Sequence, residues 1–377
     1  MQTLIVFSHL RWDFVYQRPQ HLMSRLARHY RIFFIEEPDP ASEVETVEWQ
    51  TTHPLPQLTV LRPRMPVAKR GFEQGDAKVL LQKLDELRRQ HPAHLVWMVT
   101  PMALPLLDAL EPSLVVYDCM DELSAFLNPP AHLLEHERSL LARADLVFTG
   151  GPSLHASKRD LHENVHCFPS SVDLAHFRKA LDRNIAIAAH EALPKPRLGY
   201  FGVIDERLDL ALIASIADAH PEWQLMMVGP VAKIDESSLP RRANIHYTGQ
   251  QPYASLPAYL ASWDICLMPF ALNESTRYIS PTKSLEYMAA ELPVVSTAVK
   301  DVVDQHSDVV AIAHTHEEFI ACCEAALAMP AADRQQQIRQ MRIKLSRTSW
   351  DATAGQMHRL MLEAACNESS AGAGSNR

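Results

Sequence analysis

Glycine is scarce in this chain, with 11 residues in 377. Glycine-rich repeats and flexible glycine linkers are excluded, and each glycine that does occur is worth placing. Cysteine is scarcer still. Cys119, Cys167, Cys266, Cys322, Cys323 and Cys366 form no C-x-x-C pair, so neither a zinc ribbon nor a thioredoxin-like site is supported. Scattered mostly among apolar neighbours, they read as free thiols of a reducing compartment. An excess of basic residues is lacking: the formal net charge is −9. General nucleic-acid binding, which depends on neutralising phosphates, is not expected. No apolar run approaches the ~20 residues needed to span a bilayer. The opening residues Met1 to Phe7 have neither the basic start nor the long apolar core of a signal peptide. A cytoplasmic protein is expected, with peripheral association at the inner face of the membrane left open. The 19 histidines are dispersed without an H-E-x-x-H pattern, and no metal site is expected. No G-x-S-x-G elbow offers a hydrolase nucleophile.

What the chain does have is alternation. Short apolar runs (Leu4 to Ser8, Arg31 to Ile35, Leu95 to Val99, Leu114 to Tyr117, Leu146 to Thr149) are separated by stretches with helical periodicity. That order predicts a parallel sheet with helices on both faces. Residues 181–196 interrupt it and end in Leu193-Pro194-Lys195-Pro196, an extended connection by its prolines. The alternation restarts at Arg197 to Phe201 and runs through Trp223 to Val228, Ile265 to Met268, Val294 to Thr297 and Val309 to Ile312. The fold class is therefore α/β, with two doubly wound, Rossmann-like domains. The expected organisation is an N-terminal domain 1–180, a linker 181–196, a C-terminal domain 197–348, a helix 349–366 and a disordered tail 367–377. Ligand sites in such domains lie at the carboxyl ends of the strands, and two such halves can face one another across a cleft.

The densest candidate site is Ser280-Pro281-Thr282-Lys283-Ser284-Leu285-Glu286, after the strand that ends at Pro269-Phe270. Ser280 suits an N-cap and Pro281 a first helical position, so a helix from Pro281 to about Glu291 is predicted. A helix start, with Lys283 as a point charge, suits a diphosphate. Lys283 and Glu286 share a face, and the carboxylate could accept two ribose hydroxyls. The same pair could equally be a surface ion pair. Gly202 to Asp209 follows the first strand of the second half. Gly202 allows close approach of a ligand, and Arg207 can fork onto phosphate or pair with Asp205 or Asp209. Gly229-Pro230 ends the next strand and would rim the same site.

In the first half, the loop after the first strand offers His9, Arg11, Trp12 and Arg18, a surface suited to a sugar face or an acidic acceptor. A packed tryptophan with solvated arginines is the alternative. Asp118, Asp121 and Glu122 cluster after another strand, where crowding could raise one pKa and make a base. They could also serve as helix caps.

The run Glu286-Tyr287-Met288-Ala289-Ala290-Glu291-Leu292-Pro293-Val294-Val295 resembles the second half of the glutamate motif of GT-B glycosyltransferases of the broad family-4, group-1 type. The resemblance extends from Ser8 to about Leu362. It implies GT-B architecture, with Glu286 on the donor ribose and Arg207 on the diphosphate. The form Ser280-Pro281-Thr282-Lys283 resembles a bacterial subgroup associated with surface-polysaccharide synthesis. Tyr278 stands where the family's first glutamate would be, so that residue's sugar-binding role is not carried over. Glu291-Leu292 replaces the usual glycine before Pro293. No glycine-rich loop follows the first strand.

The resemblance implies transfer of a sugar from a nucleoside diphosphate sugar, UDP-linked, to an acceptor hydroxyl of a saccharide or lipid-linked acceptor. The donor site would comprise Gly202, Arg207, Gly229, Ser280, Pro281, Thr282, Lys283 and Glu286. His9, Arg11, Trp12 and Arg18 would form the acceptor site, and Asp121, Arg207 and Lys283 would act in catalysis. With cations at the diphosphate, neither metal nor cofactor is required. A nucleotide-sugar epimerase on the same fold and a non-catalytic sugar-nucleotide-binding protein are the alternatives.

Overall fold

The structure is a computed structural model that describes residues 1–66, 71–72, 74–92 and 94–374, with side chains apart from those of 74–79 and 367–374. The chain divides into two compact units, Met1–Pro169 with Asp351–Arg377, and Ser170–Trp350.

The first unit is built on β1 (Gln2–Ser8), β2 (Tyr30–Glu36), β3 (Asp39–Pro40), β4 (Glu48–Leu55), β5 (Leu58–Met65), β6 (His94–Met98), β7 (Val115–Cys119), β8 (Leu146–Thr149) and β9 (Val165–Cys167). Their order is β3-β5-β2-β1-β6-β7-β8-β9, and β4 adds to β5. β1 lies parallel to both neighbours, with Ile5 opposite Phe33 on one side and Val96 on the other. It is buried from Thr3 to Ser8, as a central parallel strand covered on both faces must be. β4 is the exception. It pairs antiparallel with β5 and is exposed along most of its length, and its polar sequence with Pro54 suits an edge.

The second unit carries β10 (Arg197–Phe201), β11 (Gln224–Val228), β12 (Ile245–Gly249), β13 (Ile265–Met268), β14 (Val294–Thr297) and β15 (Ala311–Ala313). Their order is β12-β11-β10-β13-β14-β15, and every pair is parallel. β10, β11, β13 and β14 are buried throughout. The chain reverses sheet direction between β10 and β13, which makes their carboxyl ends the switch point where ligands bind in such sheets.

Three expectations need correction. Residues 181–196 are not simply extended. They carry two short helical turns, Arg183–Ile185 and Ala188–Glu191. Arg183 donates to the Ala261 carbonyl at 2.7 Å, and the Ile187 amide to Ser262 Oγ at 2.9 Å. The change of unit falls earlier, between Pro169 and Ser170. The final helix, Trp350–Gly374, continues through most of the segment expected to be a disordered tail; residues 375–377 lie outside the described residues. From Asp351 onward this helix groups with the first unit. Arg25 pairs there with Asp351 at 3.0 Å, and Tyr30 hydroxyl meets His358 Nδ1 at 2.9 Å.

Candidate functional site

At the carboxyl edge of the second sheet, β10 and β11 are each followed directly by glycine. Gly202 has φ +139° and Gly229 φ +148°, values that L side chains rarely adopt. The Gly202 amide donates to the Val228 carbonyl at 2.9 Å, and the Gly229 amide to the Gly249 carbonyl at 2.9 Å. The ends of β10, β11 and β12 are thereby laced together. A Cβ on Gly229 would overlap the carbonyl oxygen of Gly202, and one on Gly202 would lie 2.8 Å from Lys283 Nζ. The Lys283 ammonium thus rests against a bare backbone turn. It also lies 5.6 Å from the centre of the Tyr200 ring and 6.0 Å from that of Phe270, a cation–π setting on two sides.

Glu286 follows one turn later and is buried. Burial pushes its carboxyl up to about 7, and the nearby Lys283 charge opposes that rise. Its helix spans Lys283–Ala289, two residues later than predicted, and its N-cap is Thr282 rather than Ser280. The reason lies in the preceding turn. Ser170 Oγ donates to the Ser280 carbonyl at 2.7 Å and accepts from Thr282 Oγ1 at 3.2 Å, while Ser284 Oγ donates to the Pro281 carbonyl at 2.9 Å. These bonds hold Ser280 and Pro281 outside the helix. Glu291, where the family has glycine, takes φ +57°. Arg334 donates to its carbonyl at 3.0 Å, and Arg342 to its carboxylate at 2.7 Å.

Arg207 forks onto Asp205, with Nε–Oδ1 at 3.0 Å and Nη2–Oδ2 at 2.6 Å. Of the two uses the sequence allowed, the pair with Asp205 is the one formed here. Asp205 is buried and the arginine is a quarter exposed. Asp209 is used elsewhere, capping the helix Leu210–Ala219 through the Leu212 amide at 2.8 Å.

In the first unit, the residues read as an acceptor surface divide. Arg18 is not at the surface. It is buried, bound to Asp118 through Nε at 3.1 and 3.2 Å and Nη2 at 2.7 Å, with Nη1 donating to the Phe168 carbonyl. Arg11 is likewise drawn inward, to Glu36 at 3.0 Å and Asp39 at 2.6 Å. Trp12 packs edge-on against Phe34, ring centres 5.2 Å apart. His9 and Trp12 remain partly exposed. The carboxylate cluster after β7 also divides. Asp118 serves Arg18, and Glu122 pairs with Lys158 at 2.8 Å. Asp121 is partly exposed between them.

Residues 195–329 match the family model described as "Glycosyl transferases group 1". The chain is 29% identical over 276 residues to TuaH of Bacillus subtilis (strain 168), assigned as a teichuronic acid biosynthesis glycosyltransferase. That match covers 67% of this chain and 68% of TuaH.

The similarity to group 1 glycosyltransferases thus falls on the second unit.

The fold of the chain is that of solved GT-B enzymes. Sucrose-phosphate synthase from Thermosynechococcus elongatus superposes with a TM-score of 0.73 at 16% identity, over 96% of this chain and 99% of that one. A trehalose-6-phosphate structure from E. coli, bound with UDP-2-fluoro glucose, gives 0.66 at 11% identity, over 96% and 99%. No helix among the described residues is long and apolar enough to cross a membrane.

Several residues that shape these surroundings escaped the sequence reading. Tyr200 and Phe270 flank Lys283, but in sequence they look like ordinary core aromatics. Lys158 looks like a helix-end lysine, yet it is buried between Glu122 and Glu137, 2.8 and 2.9 Å away. Tyr117 donates to the same Glu137 at 2.8 Å. A lysine four residues from an apolar strand contact carries no local sign of such a pairing.

Proposed function

We propose that this protein is a glycosyltransferase that moves a sugar from a UDP-linked donor to an acceptor hydroxyl during synthesis of a bacterial surface polysaccharide or glycoconjugate. The observation that carries the reading is the seat of Lys283: an ammonium held over the Gly202 turn at the switch point, with the Glu286 carboxyl one helical turn away. The assignment of TuaH to teichuronic acid synthesis and the UDP-2-fluoro glucose in the E. coli structure support the polymer and the donor.

In this reading the diphosphate lies against the glycine turns, and Lys283 meets the charge that grows on it as the glycosidic bond breaks. The ammonium is already fixed by its surroundings, so little reorganisation opposes that stabilisation. Arg207 adds a second cation, with Asp205 setting the direction of its fork. Gly202 and Gly229 let the backbone approach the donor, the Ser280-Pro281-Thr282 turn borders it, and Glu286 accepts from the ribose hydroxyls. On the first unit, Asp121 takes the acceptor proton, and His9 and Trp12 contact the acceptor. Arg11 and Arg18 keep internal roles. No cofactor is invoked, and the cations take the part that a metal would otherwise play. The protein works in the cytoplasm, in keeping with its six free cysteines.

Calorimetry with UDP tests the donor assignment. Glu286→Ala should weaken binding by roughly 1.5–3 kcal/mol, the scale of a hydrogen bond to a charged group. Unchanged affinity in a folded variant overturns it. Turnover should survive EDTA; loss that manganese or magnesium restores would overturn the cation-only mechanism.

A further inference from the structure

The opposite edge of the second sheet, where β10, β11, β13 and β14 begin, carries a pocket of ≈ 690 Å³. Five residues at 3.3 Å each set it roughly 16 Å from the glycine turns, so it is separate from the proposed donor site. Its volume suits a small organic ligand. The walls include Arg183, Arg334, Trp223, Trp263, Leu292 and Leu327.

The charges around this pocket do not balance. Lys195 is matched by Asp264 at 2.9 Å, and Glu222 by His220 at 2.9 Å. Neither Arg183 nor Arg334 has a carboxylate partner among the described residues. Arg183 uses only Nη1, on backbone carbonyls led by Ala261 at 2.7 Å. Arg334 uses only Nη2, on the Glu291 carbonyl at 3.0 Å. The remaining guanidinium nitrogens of both meet no acceptor among the described residues. Burial lowers the pKa of Arg334, and the neighbouring Arg183 charge lowers it too, while Asp264 and Glu291 oppose the shift from a distance. Arg334 is partly buried and Arg183 is exposed beside it, and an anion between them would offset their mutual repulsion. Behind the arginines lies a tryptophan that lines the same pocket. The Trp263 side chain is 1% exposed, and its indole N–H finds no acceptor among the described residues. A native structure rarely leaves such a donor unused.

We propose that this pocket binds a small phosphate monoester, with the oxyanion between Arg183 and Arg334 and the organic body against Leu292 and Leu327. Phosphate fits the donors better than a single carboxylate, because two guanidinium forks present more N–H groups than two oxygens can use. The apolar wall favours an ester over the free ion.

Titration calorimetry on the full chain tests this with glucose 1-phosphate, phenyl phosphate and inorganic phosphate as probes. The two esters distinguish a saccharide body from an aromatic one. At least one should bind at millimolar concentration or below and about tenfold or more tighter than inorganic phosphate. Arg183→Met, at the exposed mouth, should weaken the ester about tenfold or more. Arg334→Lys, which keeps the charge but not the fork, should also weaken it, with circular dichroism confirming the fold. Lys283→Ala should leave ester binding unchanged. The proposal fails if neither ester binds, if inorganic phosphate binds as tightly as both, or if both arginine variants bind like the parent. Loss of ester binding in Lys283→Ala would move the phosphate to the donor turn. None of these outcomes depends on the UDP reading, which the Glu286 experiment tests separately.

Discussion

Both units bring cations and carboxylates to the ends of parallel strands, but they use them differently. In the first unit the charges neutralise one another. Arg18 is 4% exposed and Asp118 1%, and Lys158 sits between two glutamates. In the second unit Lys283 faces aromatic rings and bare backbone, and the Glu286 carboxyl is held near neutrality by burial. Charge at a strand end is therefore not itself the mark of a site. The distinguishing feature is the setting of Lys283, between aromatic rings and a glycine turn at the switch point of the sheet.

Mutations can break this contrast. The largest effect should come from Arg18→Met, which strands Asp118 as an unpaired buried charge and should cost about 3–5 kcal/mol of stability in urea denaturation. The double variant Arg18→Met with Asp118→Leu should recover most of that loss, because an apolar pair of similar volume replaces the ions. Lys283→Ala should do the opposite: lower kcat by about two orders of magnitude, near the value for removing one preorganised donor, with little change in the urea midpoint. Equal losses of stability in the Lys283 and Arg18 variants would erase the distinction between the units.

A pH profile sharpens it. Glu286 rises from an ordinary 4.5 to about 7 in the folded protein, so the native state holds that proton more tightly than the unfolded chain. Its contribution to stability is full below the unfolded pKa and is lost as pH climbs through about 7. The ionised form is the better acceptor for ribose, so UDP affinity should rise between about pH 6 and pH 8 and lose that slope in Glu286→Gln. The smallest effect belongs to Glu291. Glycine there would relieve roughly 1 kcal/mol of left-handed strain but would give up the half-exposed pair with Arg342, worth about 0–1 kcal/mol. Glu291→Gly should stay within about 0.5 kcal/mol of the parent. Glu291→Ala keeps the strain, loses the pair and should be the less stable of the two.

The alternation of apolar runs and helical periodicity was enough to predict the doubly wound fold, because each buried parallel strand is a near-continuous apolar run. β4 escaped because it is a polar edge whose residues face water, and β5 because Arg62, Pro63 and Arg64 interrupt its apolar residues. The turn at Gly202, Gly229 and Lys283 was legible because glycine at a strand end has few uses. Arg18 was misread because its partner lies 100 residues away. A local reading sees an arginine in a polar loop before a helix and cannot see the aspartate near the end of β7. The helix start at Ser280 failed for the same reason, since the bond that displaces it comes from Ser170.

β10 carries a second glycine, at 199, where a Cβ would overlap the indole of Trp263. The middle of this five-residue strand thus packs against a wall of the rear pocket, and the turn just after it seats Lys283. Close-packed interiors transmit displacement rather than absorb it. β10 is in effect a push-rod: a ligand that presses on Trp263 and slides the strand along its axis would carry the Gly202 turn, and the amine resting on it, by the same distance.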